Sequence, residues 1–185
     1  MEKLPRERFV PSHLREEAGL DVALPIGLGQ TISQPFVVAY MTAGLAVKAG
    51  SRVLEVGTGS GYQAAVLAEM GAEVYTVELL PELAQRAREV VTELGLEERV
   101  HFRVGDGWHG WPSAAPFDGI ICTAAPARVP PSLLEQLKVG GRLVIPVGAR
   151  ESQVLLVLER TREGLREIGS LPVRFVPMVR SAVQG

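Results

Sequence analysis

The feature that most constrains the fold is a glycine-rich turn between a predicted strand and a predicted helix. Residues 52–56 are mostly apolar, Gly57, Gly59 and Gly61 follow at alternate positions, and residues 62–70 have helical periodicity. Glycines let the backbone turn sharply and allow a ligand to approach the main chain where no Cβ intervenes. A strand, a glycine turn and a helix in this order therefore predict a parallel α/β sheet with a ligand site at the turn.

The rest of the chain continues this alternation of strands and helices. Pro81 suits the first position of a helix, and apolar residues at helical spacing follow it until Gly95. The pattern predicts an α/β fold with a doubly wound, mostly parallel sheet of about seven strands, preceded by a short N-terminal cap over the sheet edge. Further predicted strands are residues 73–78, 100–104, 117–123, 141–146, 153–160 and 165–176, and a short helix is predicted over 131–137.

Composition argues against several classes of protein. Of the 185 residues, 46% are hydrophobic and 22% are charged, which is typical of a folded globular domain. The net charge of −2 gives no basic excess, so we expect no nucleic-acid partner. There is no signal sequence and no apolar run long enough to span a membrane, so we expect a cytoplasmic protein without membrane contact. We also expect a monomer.

The rarer residue types add to this picture. Cys122 is the only cysteine and lies in an apolar run, which predicts a small core residue. His13, His101 and His109 have no zinc-ligand spacing with it, so we expect no metal. The chain contains no asparagine, the residue most prone to deamidation, and Arg greatly outnumbers Lys, which suggests a hot working environment of a thermophile.

Two interpretations of the glycine turn compete. Residues 59–64 fit the G-x-G-x-x-A pattern of dinucleotide-binding folds, with Glu78 further along. Alternatively, Glu55 stands two positions before Gly57, as it does in methyltransferases that use S-adenosylmethionine. A carboxylate beside a pyrophosphate would be repelled, whereas the ammonium of a methionine tail can use it, so we favour the second interpretation. The possibility that Glu55 only caps amides of its own loop stays open.

Carboxylates also follow the next two predicted strands. Glu78 ends the second strand, where its two oxygens would match the vicinal hydroxyls of a ribose. Asp106 follows the third strand, where it would accept a hydrogen bond from an adenine amino group, and Gly107 would let the ring lie close to the backbone. A solvated Glu78 and a simple Asp-Gly turn are the alternatives. Together these positions predict an adenosine ligand without phosphates, as S-adenosylmethionine is.

A loop before the first strand carries the most specific motifs. Residues 24–35, Leu-Pro-Ile-Gly-Leu-Gly-Gln-Thr-Ile-Ser-Gln-Pro, have neither strand nor helix periodicity. Together with residues 53–61 and 105–107, this loop resembles the protein-L-isoaspartate O-methyltransferase family, and the resemblance extends over residues 10–177. The glycine turn is shared by many methyltransferases, but Pro-Ile-Gly followed by Gln-Thr-Ile-Ser is specific to the family.

The resemblance implies a methyltransferase sheet with rearranged last strands and a repair activity. The methyl group of S-adenosylmethionine would pass to the free carboxylate of an L-isoaspartyl residue in a damaged protein or peptide. The ester would then cyclise to a succinimide that hydrolyses partly to normal aspartate. By the same resemblance, Ser33 is the catalytic hydroxyl. Predicted substrate-binding residues are Thr31, Ser33, Thr123 and Val176. Predicted cofactor-binding residues are Gln30, Thr31, Ile32, Ser33, Glu55, Gly57, Thr58, Gly59, Gly61, Glu78, Leu79, Asp106 and Gly107.

We expect one methyltransferase domain over residues 1–185. In it, residues 1–48 form the cap and acceptor loop, 49–150 the cofactor-binding core and 151–185 the C-terminal strands. The chain departs from the family at Leu28 and Phe36, where many members carry polar or His residues, and the family's N-terminal helices are missing or trimmed. The rival hypotheses are an S-adenosylmethionine-dependent methyltransferase acting on a small molecule or RNA, an NAD-dependent oxidoreductase, and a binding module without turnover.

Overall fold

The N-terminal part of the chain is a compact arrangement of short elements. The structure, a computed structural model, describes residues 3–149 and 151–180. Two 3₁₀ helices, Arg6–Phe9 and Ser12–Glu17, precede an antiparallel hairpin of β1 (Leu24–Gly27) and β2 (Gln30–Ile32), after which helix α1 (Pro35–Leu45) begins. The prediction of an irregular loop over residues 24–35 is therefore wrong, because each strand is too short to show a period.

Seven strands form the main sheet, in the order β5-β4-β3-β6-β7-β8-β9. Strands β3 to β7 are parallel, and the last two are antiparallel, so the edges are β5 and β9. The predicted α/β class and seven-stranded sheet are confirmed. The strands are β3 (Arg52–Val56), β4 (Glu73–Glu78), β5 (Val100–Val104), β6 (Phe117–Cys122), β7 (Leu137–Ala149), β8 (Ser152–Arg160) and β9 (Leu165–Val173). The remaining helices are α2 (Tyr62–Glu69), α3 (Pro81–Glu93) and α4 (Pro131–Gln136).

The cap packs on helices α2 and α3, and its hairpin reaches the carboxyl edge of the sheet, in agreement with the prediction. Phe9 and Ile26 join one apolar cluster with residues of α2 and α3, including Tyr62 and Leu83. The rings of Phe9 and Tyr62 meet edge to face, with centroids 5.2 Å apart. Helix α1, which was not predicted from the sequence, contributes Met41 to the core on one face of the sheet.

Two strands, β7 and β9, differ from the prediction by more than one residue at a boundary. Strand β7 starts at Leu137, before the predicted Gly141, because a register shift against β6 accommodates the extra residues and keeps the strand continuous. Strand β9 stops at Val173, since the chain then crosses to the end of β6, where the Ala125 amide donates to the Val176 carbonyl at 2.8 Å. This crossing carries Val176 to the carboxyl edge of the sheet.

Candidate active site

Two adjoining cavities lie at the carboxyl ends of the parallel strands. The first, which we term the glycine-turn cavity, has a volume of 210 Å³, and its walls include Gly57, Glu78 and Gly107. The second, the Ser33 cavity, has a volume of 460 Å³ and is bounded by the hairpin, the start of α1 and residues 172–176. Residues common to both walls are Thr31, Thr123 and Val176. The two cavities are therefore neighbours with a shared boundary.

Two glycines of the first cavity lie so close to neighbouring side chains that they leave no room for a Cβ. Gly57 has φ +94°, and a Cβ built on it would lie 2.4 Å from Thr123 Oγ1. A Cβ on Gly107 would lie 2.4 Å from Val56 Cγ1. Contacts this short do not occur between real atoms, so both positions require glycine. The cavity thus offers bare backbone on two sides, which suits a flat ring or an extended ligand.

Glu78 is held against the glycine turn by backbone amides. Its carboxylate accepts hydrogen bonds from Gly59 N at 2.8 Å and from Leu80 N at 3.0 Å, and the residue is only 7% exposed. A carboxylate has about four acceptor positions, so further positions remain beyond these two bonds. Because Glu78 also lines the glycine-turn cavity, it presents a fixed negative charge to a ligand with hydroxyl groups.

Glu55 lies beneath the turn rather than on a cavity wall. It is completely buried and accepts a hydrogen bond from Thr76 Oγ1 at 2.5 Å, and Thr58 Oγ1 lies 2.6 Å from the same hydroxyl. Burial raises the pKa of Glu55 to about 8, although the bond from Thr76 and the backbone of Ala64, in α2, act to lower it. Among the residues that the structure describes, none forms a hydrogen bond with Glu55 Oε1. A direct contact with a ligand ammonium does not fit this position, whereas support of the turn does.

Asp106 begins the turn after β5. Its carboxylate accepts a hydrogen bond from Trp108 N at 2.9 Å and caps a short 3₁₀ helix, Gly107–His109. Gly107 forms part of the glycine-turn cavity, while Asp106 caps the helix beside it. This is the geometry of an Asp-Gly turn at the edge of a ligand site.

Ser33 lies close to the glycine turn, although the two are far apart in the sequence. It is partly buried, it follows β2 directly, and it lines the larger cavity. A narrow third cavity of 30 Å³ has both Ser33 and Gly57 in its wall, together with the buried Gln63. A group bound beside the glycine turn and a group bound beside Ser33 would therefore meet at this junction.

Comparison with known proteins identifies the family. The sequence model of "Protein-L-isoaspartate(D-aspartate) O-methyltransferase (PCMT)" matches residues 1–183. The chain belongs to this family. A protein-L-isoaspartate O-methyltransferase from Gloeobacter violaceus is 57% identical over all of this chain and 90% of its own length. One from Anaeromyxobacter dehalogenans is 60% identical over 95% of this chain and 85% of its own length.

Solved structures of the family agree with the observed fold. A protein-L-isoaspartate O-methyltransferase superposes with a TM-score of 0.87 at 32% identity, covering 95% of this chain and 58% of the other. The present chain thus spans little more than half of that protein. The predicted family and the predicted fold, with its rearranged last strands, are confirmed. The predicted cofactor, S-adenosylmethionine, is the methyl donor that this family indicates.

Most of the predicted site residues converge on the three cavities. The glycine-turn cavity is lined by Gln30, Thr31, Gly57, Gly59, Glu78, Leu79 and Gly107. The narrow junction is lined by Ile32, Ser33 and Thr58, among others. The predicted acceptor residues Thr31, Ser33, Thr123 and Val176 all line the Ser33 cavity. The predicted residues outside these walls are Glu55, Gly61 and Asp106.

Several residues at the site were not singled out from the sequence. Gln63 donates to Thr42 Oγ1 at 2.9 Å, while its own Oε1 is buried and has no partner within the described ranges 3–149 and 151–180. Arg174 is exposed and lines the Ser33 cavity. Arg6 donates to the Ser33 carbonyl at 3.1 Å. None of these belongs to a motif with an evident spacing, and the contacts of Arg6 and Gln63 are with residues distant in sequence.

Neither a membrane span nor a metal cluster is present in the described part of the chain. Among residues 3–149 and 151–180, none of the helices has both the length and the apolar character that crossing a bilayer requires. The same residues include no group of three or more His, Cys, Asp or Glu side chains that could hold a metal ion.

Proposed function

We propose that this protein transfers a methyl group from S-adenosylmethionine to the free carboxylate of L-isoaspartyl residues in damaged proteins and peptides. The observation that carries the proposal is the pair of adjoining cavities. One contains bare glycine backbone and the carboxylate of Glu78, the other contains the Ser33 hydroxyl, and they share Thr31, Thr123 and Val176. A donor and an acceptor bound in such cavities would face one another across a short gap.

The donor belongs in the glycine-turn cavity. Glu78 would accept hydrogen bonds from the ribose hydroxyls, and Gly107 and Leu79 would flank the adenine. Glu55 below the turn has a raised pKa, and a cationic ligand above it would favour the ionised form of its carboxyl group without touching it. When bound, S-adenosylmethionine supplies an electrophilic methyl group on a sulfonium. The cavity holds glycines where a Cβ would collide with its neighbours, which fits a ligand that lies against the backbone.

The acceptor belongs beside Ser33. A carboxylate is already ionised at neutral pH, so no general base is needed to activate it. The Ser33 hydroxyl would donate a hydrogen bond to the carboxylate oxygen that does not react, and this bond would aim the other oxygen at the donor. Because opposite charges cancel during the transfer, the protein's task is to align the reactants and exclude water. Thr31, Thr123 and Val176 would form the walls that do so.

A methylation assay with matched peptides tests this function. The protein would be incubated with methyl-radiolabelled S-adenosylmethionine and either an isoaspartyl peptide, its normal aspartyl twin, or RNA. We expect label on the isoaspartyl peptide alone, and the label should be lost in mild base because esters hydrolyse there. Equal labelling of both peptides would refute the isoaspartyl assignment, and labelling of RNA would favour the rival methyltransferase hypothesis.

Three expectations from the sequence stay predictions: a monomeric state, a cytoplasmic location, and a thermophilic host. Light scattering on a size-exclusion column tests the first, with a mass near 19.9 kDa expected. Thermal unfolding tests the third, since a protein from a hot environment should melt well above about 65 °C, the upper end of the usual mesophilic range.

A further inference from the structure

Arg6 is a buried cation in the N-terminal cap. Its guanidinium donates to the carbonyls of Ala18 at 2.6 Å, Val22 at 3.0 Å and Ser33 at 3.1 Å, and the residue is 6% exposed. Within residues 3–149 and 151–180 no carboxylate forms an ion pair with it. A buried charge is unfavourable unless it is hydrogen-bonded, and the three carbonyls bind both terminal nitrogens of the guanidinium, while its buried Nε has no hydrogen-bond partner among residues 3–149 and 151–180.

Asp21 makes a second link between the same two segments. In the sequence it stands between Ala18 and Val22, whose carbonyls Arg6 binds. Its carboxylate accepts hydrogen bonds from Gln34 Nε2 at 3.0 Å and from Phe36 N at 2.8 Å. Phe36 is in the first turn of α1, where backbone amides have no partner within the helix and a negative charge is favoured. The segment 18–22 is therefore linked to Ser33 through Arg6 and is bonded directly, through Asp21, to the residues that follow Ser33.

We propose that Arg6 and Asp21 are positioning residues that together orient the Ser33 hydroxyl toward the acceptor carboxylate. Arg6 fixes the main chain of Ser33 itself, and Asp21 fixes Gln34 and Phe36, which follow it. With the main chain held on both sides, the direction of the Ser33 side chain is restricted. The proposal rests on the proposed role of Ser33 in methylation.

The two residues affect the acceptor side more than the donor side. Neither Arg6 nor Asp21 forms part of the glycine-turn cavity, whereas Ser33 and Gln34, which they bind, line the Ser33 cavity. We term the hydrogen bonds of Arg6 and Asp21 to residues 33–36 the clamp. Removing the clamp should therefore lower turnover with little change in cofactor affinity. A displacement of about 1 Å in a reacting group can lower the rate on the order of 100-fold.

The test compares Arg6→Met and Asp21→Ala with the wild type. The measurements are kcat and KM for an isoaspartyl peptide, the Kd for S-adenosylhomocysteine by calorimetry, and amide hydrogen exchange over residues 30–37. We expect kcat to fall on the order of 100-fold in Arg6→Met, by a smaller factor in Asp21→Ala, with the Kd unchanged and exchange accelerated in both. Arg6→Lys, which keeps the charge but reaches fewer carbonyls, should recover part of the lost kcat.

Two control variants separate positioning from general stability. Arg8→Met removes a neighbouring cation from the same 3₁₀ helix. Arg8 forms a salt bridge with Glu93, which lies on α3 and not near Ser33. Phe9→Leu weakens the packing of the cap against Tyr62. Both should lower the melting temperature while leaving kcat close to the wild-type value.

The possible outcomes distinguish this proposal from the proposed function. If Arg6→Met and Asp21→Ala melt at lower temperature but keep the wild-type kcat, the clamp is merely structural and the proposal is wrong. If Arg6→Met does not fold, Asp21→Ala decides, because Asp21 is exposed and its loss leaves the core intact. If the wild type methylates no isoaspartyl peptide, the proposed function fails, and unchanged exchange over residues 30–37 in the variants would separately refute the clamp.

Discussion

Replacing Glu55 with Gln should change how the stability of the protein depends on pH. Glu55 is completely buried, and burial raises its pKa from 4.5 to about 8. In the unfolded chain the group loses its proton near pH 4.5, whereas in the folded protein it keeps the proton up to about pH 8. The unfolded state therefore binds fewer protons across this window, and folding becomes less favourable as the pH rises.

The size of the effect follows from the two pKa values. Each pH unit between them lowers the free energy of unfolding by about 1.4 kcal/mol. Over the whole window from 4.5 to about 8 the loss is on the order of 5 kcal/mol, which is a large part of the stability of a typical domain. Gln carries no titrating proton, so Glu55→Gln should remove this pH dependence, whatever constant offset the substitution adds.

Urea unfolding followed by tryptophan fluorescence measures the effect from pH 5 to 8.5. The difference in unfolding free energy between wild type and Glu55→Gln should fall steadily as the pH rises and level off above about pH 8. Glu73→Gln is the matched control: hydrogen bonding from Tyr75 lowers the pKa of Glu73, so its contribution changes only below pH 4.5. A Glu55 difference curve as flat as that control would refute the reasoning.

The same titration with saturating S-adenosylhomocysteine examines the electrostatic role of Glu55. A ligand ammonium above the turn would favour the ionised carboxylate and lower its pKa. The pH dependence of the wild type should then weaken when the ligand is bound, while Glu55→Gln should not respond. An unchanged slope would mean that no ligand cation is felt at Glu55.

Further predictions concern Ser33, Glu78, Gly107 and Cys122. Ser33→Ala should lower kcat by about 10- to 150-fold, the value of one hydrogen bond to a charged group, without changing the affinity for S-adenosylhomocysteine. Glu78→Ala should lower that affinity, measured by calorimetry, by a similar factor. The reverse pattern would mean that the two sites are exchanged. Gly107→Ala places a Cβ 2.4 Å from Val56 Cγ1 and should reduce the affinity for S-adenosylhomocysteine. Normal affinity would contradict the proposal that the ligand lies against the backbone at Gly107. Burial raises the pKa of the Cys122 thiol, so a thiol reagent should label it only after unfolding, and rapid labelling of native protein would disprove this.

The central strands could be predicted because their residues are buried on both faces. Residues 52–56 and 73–78 match the observed β3 and β4, whose residues are mostly buried. Residues 100–104 match the edge strand β5, where apolar and polar residues alternate. The hairpin over residues 24–32 was not predicted, because its strands have four and three residues. The early start of β7 was missed because its glycines resemble a turn but occupy an irregularity within the strand.

The site was predictable where it follows from chain order and not where it depends on distant contacts. Glu78 and Gly107 follow consecutive strands of the sheet, so their convergence could be expected. The complete burial of Glu55 could not be predicted, because a strand residue that faces into the protein has the same sequence neighbours as one that faces a ligand. Arg6 reaches Ser33 across 27 positions in the chain, and no local pattern encodes that contact.

The outer edge of β9 matters for an enzyme whose clients are damaged chains. Proteins with altered backbones pack poorly and expose strands that seek a partner, and an open sheet edge can template their aggregation. Strand β9 carries Pro172, which has no backbone N–H to donate, and two adjacent charged residues, Arg166 and Glu167. A sheet edge with a proline and charged side chains is a poor template for a further strand, which matters where the substrate is itself a damaged chain.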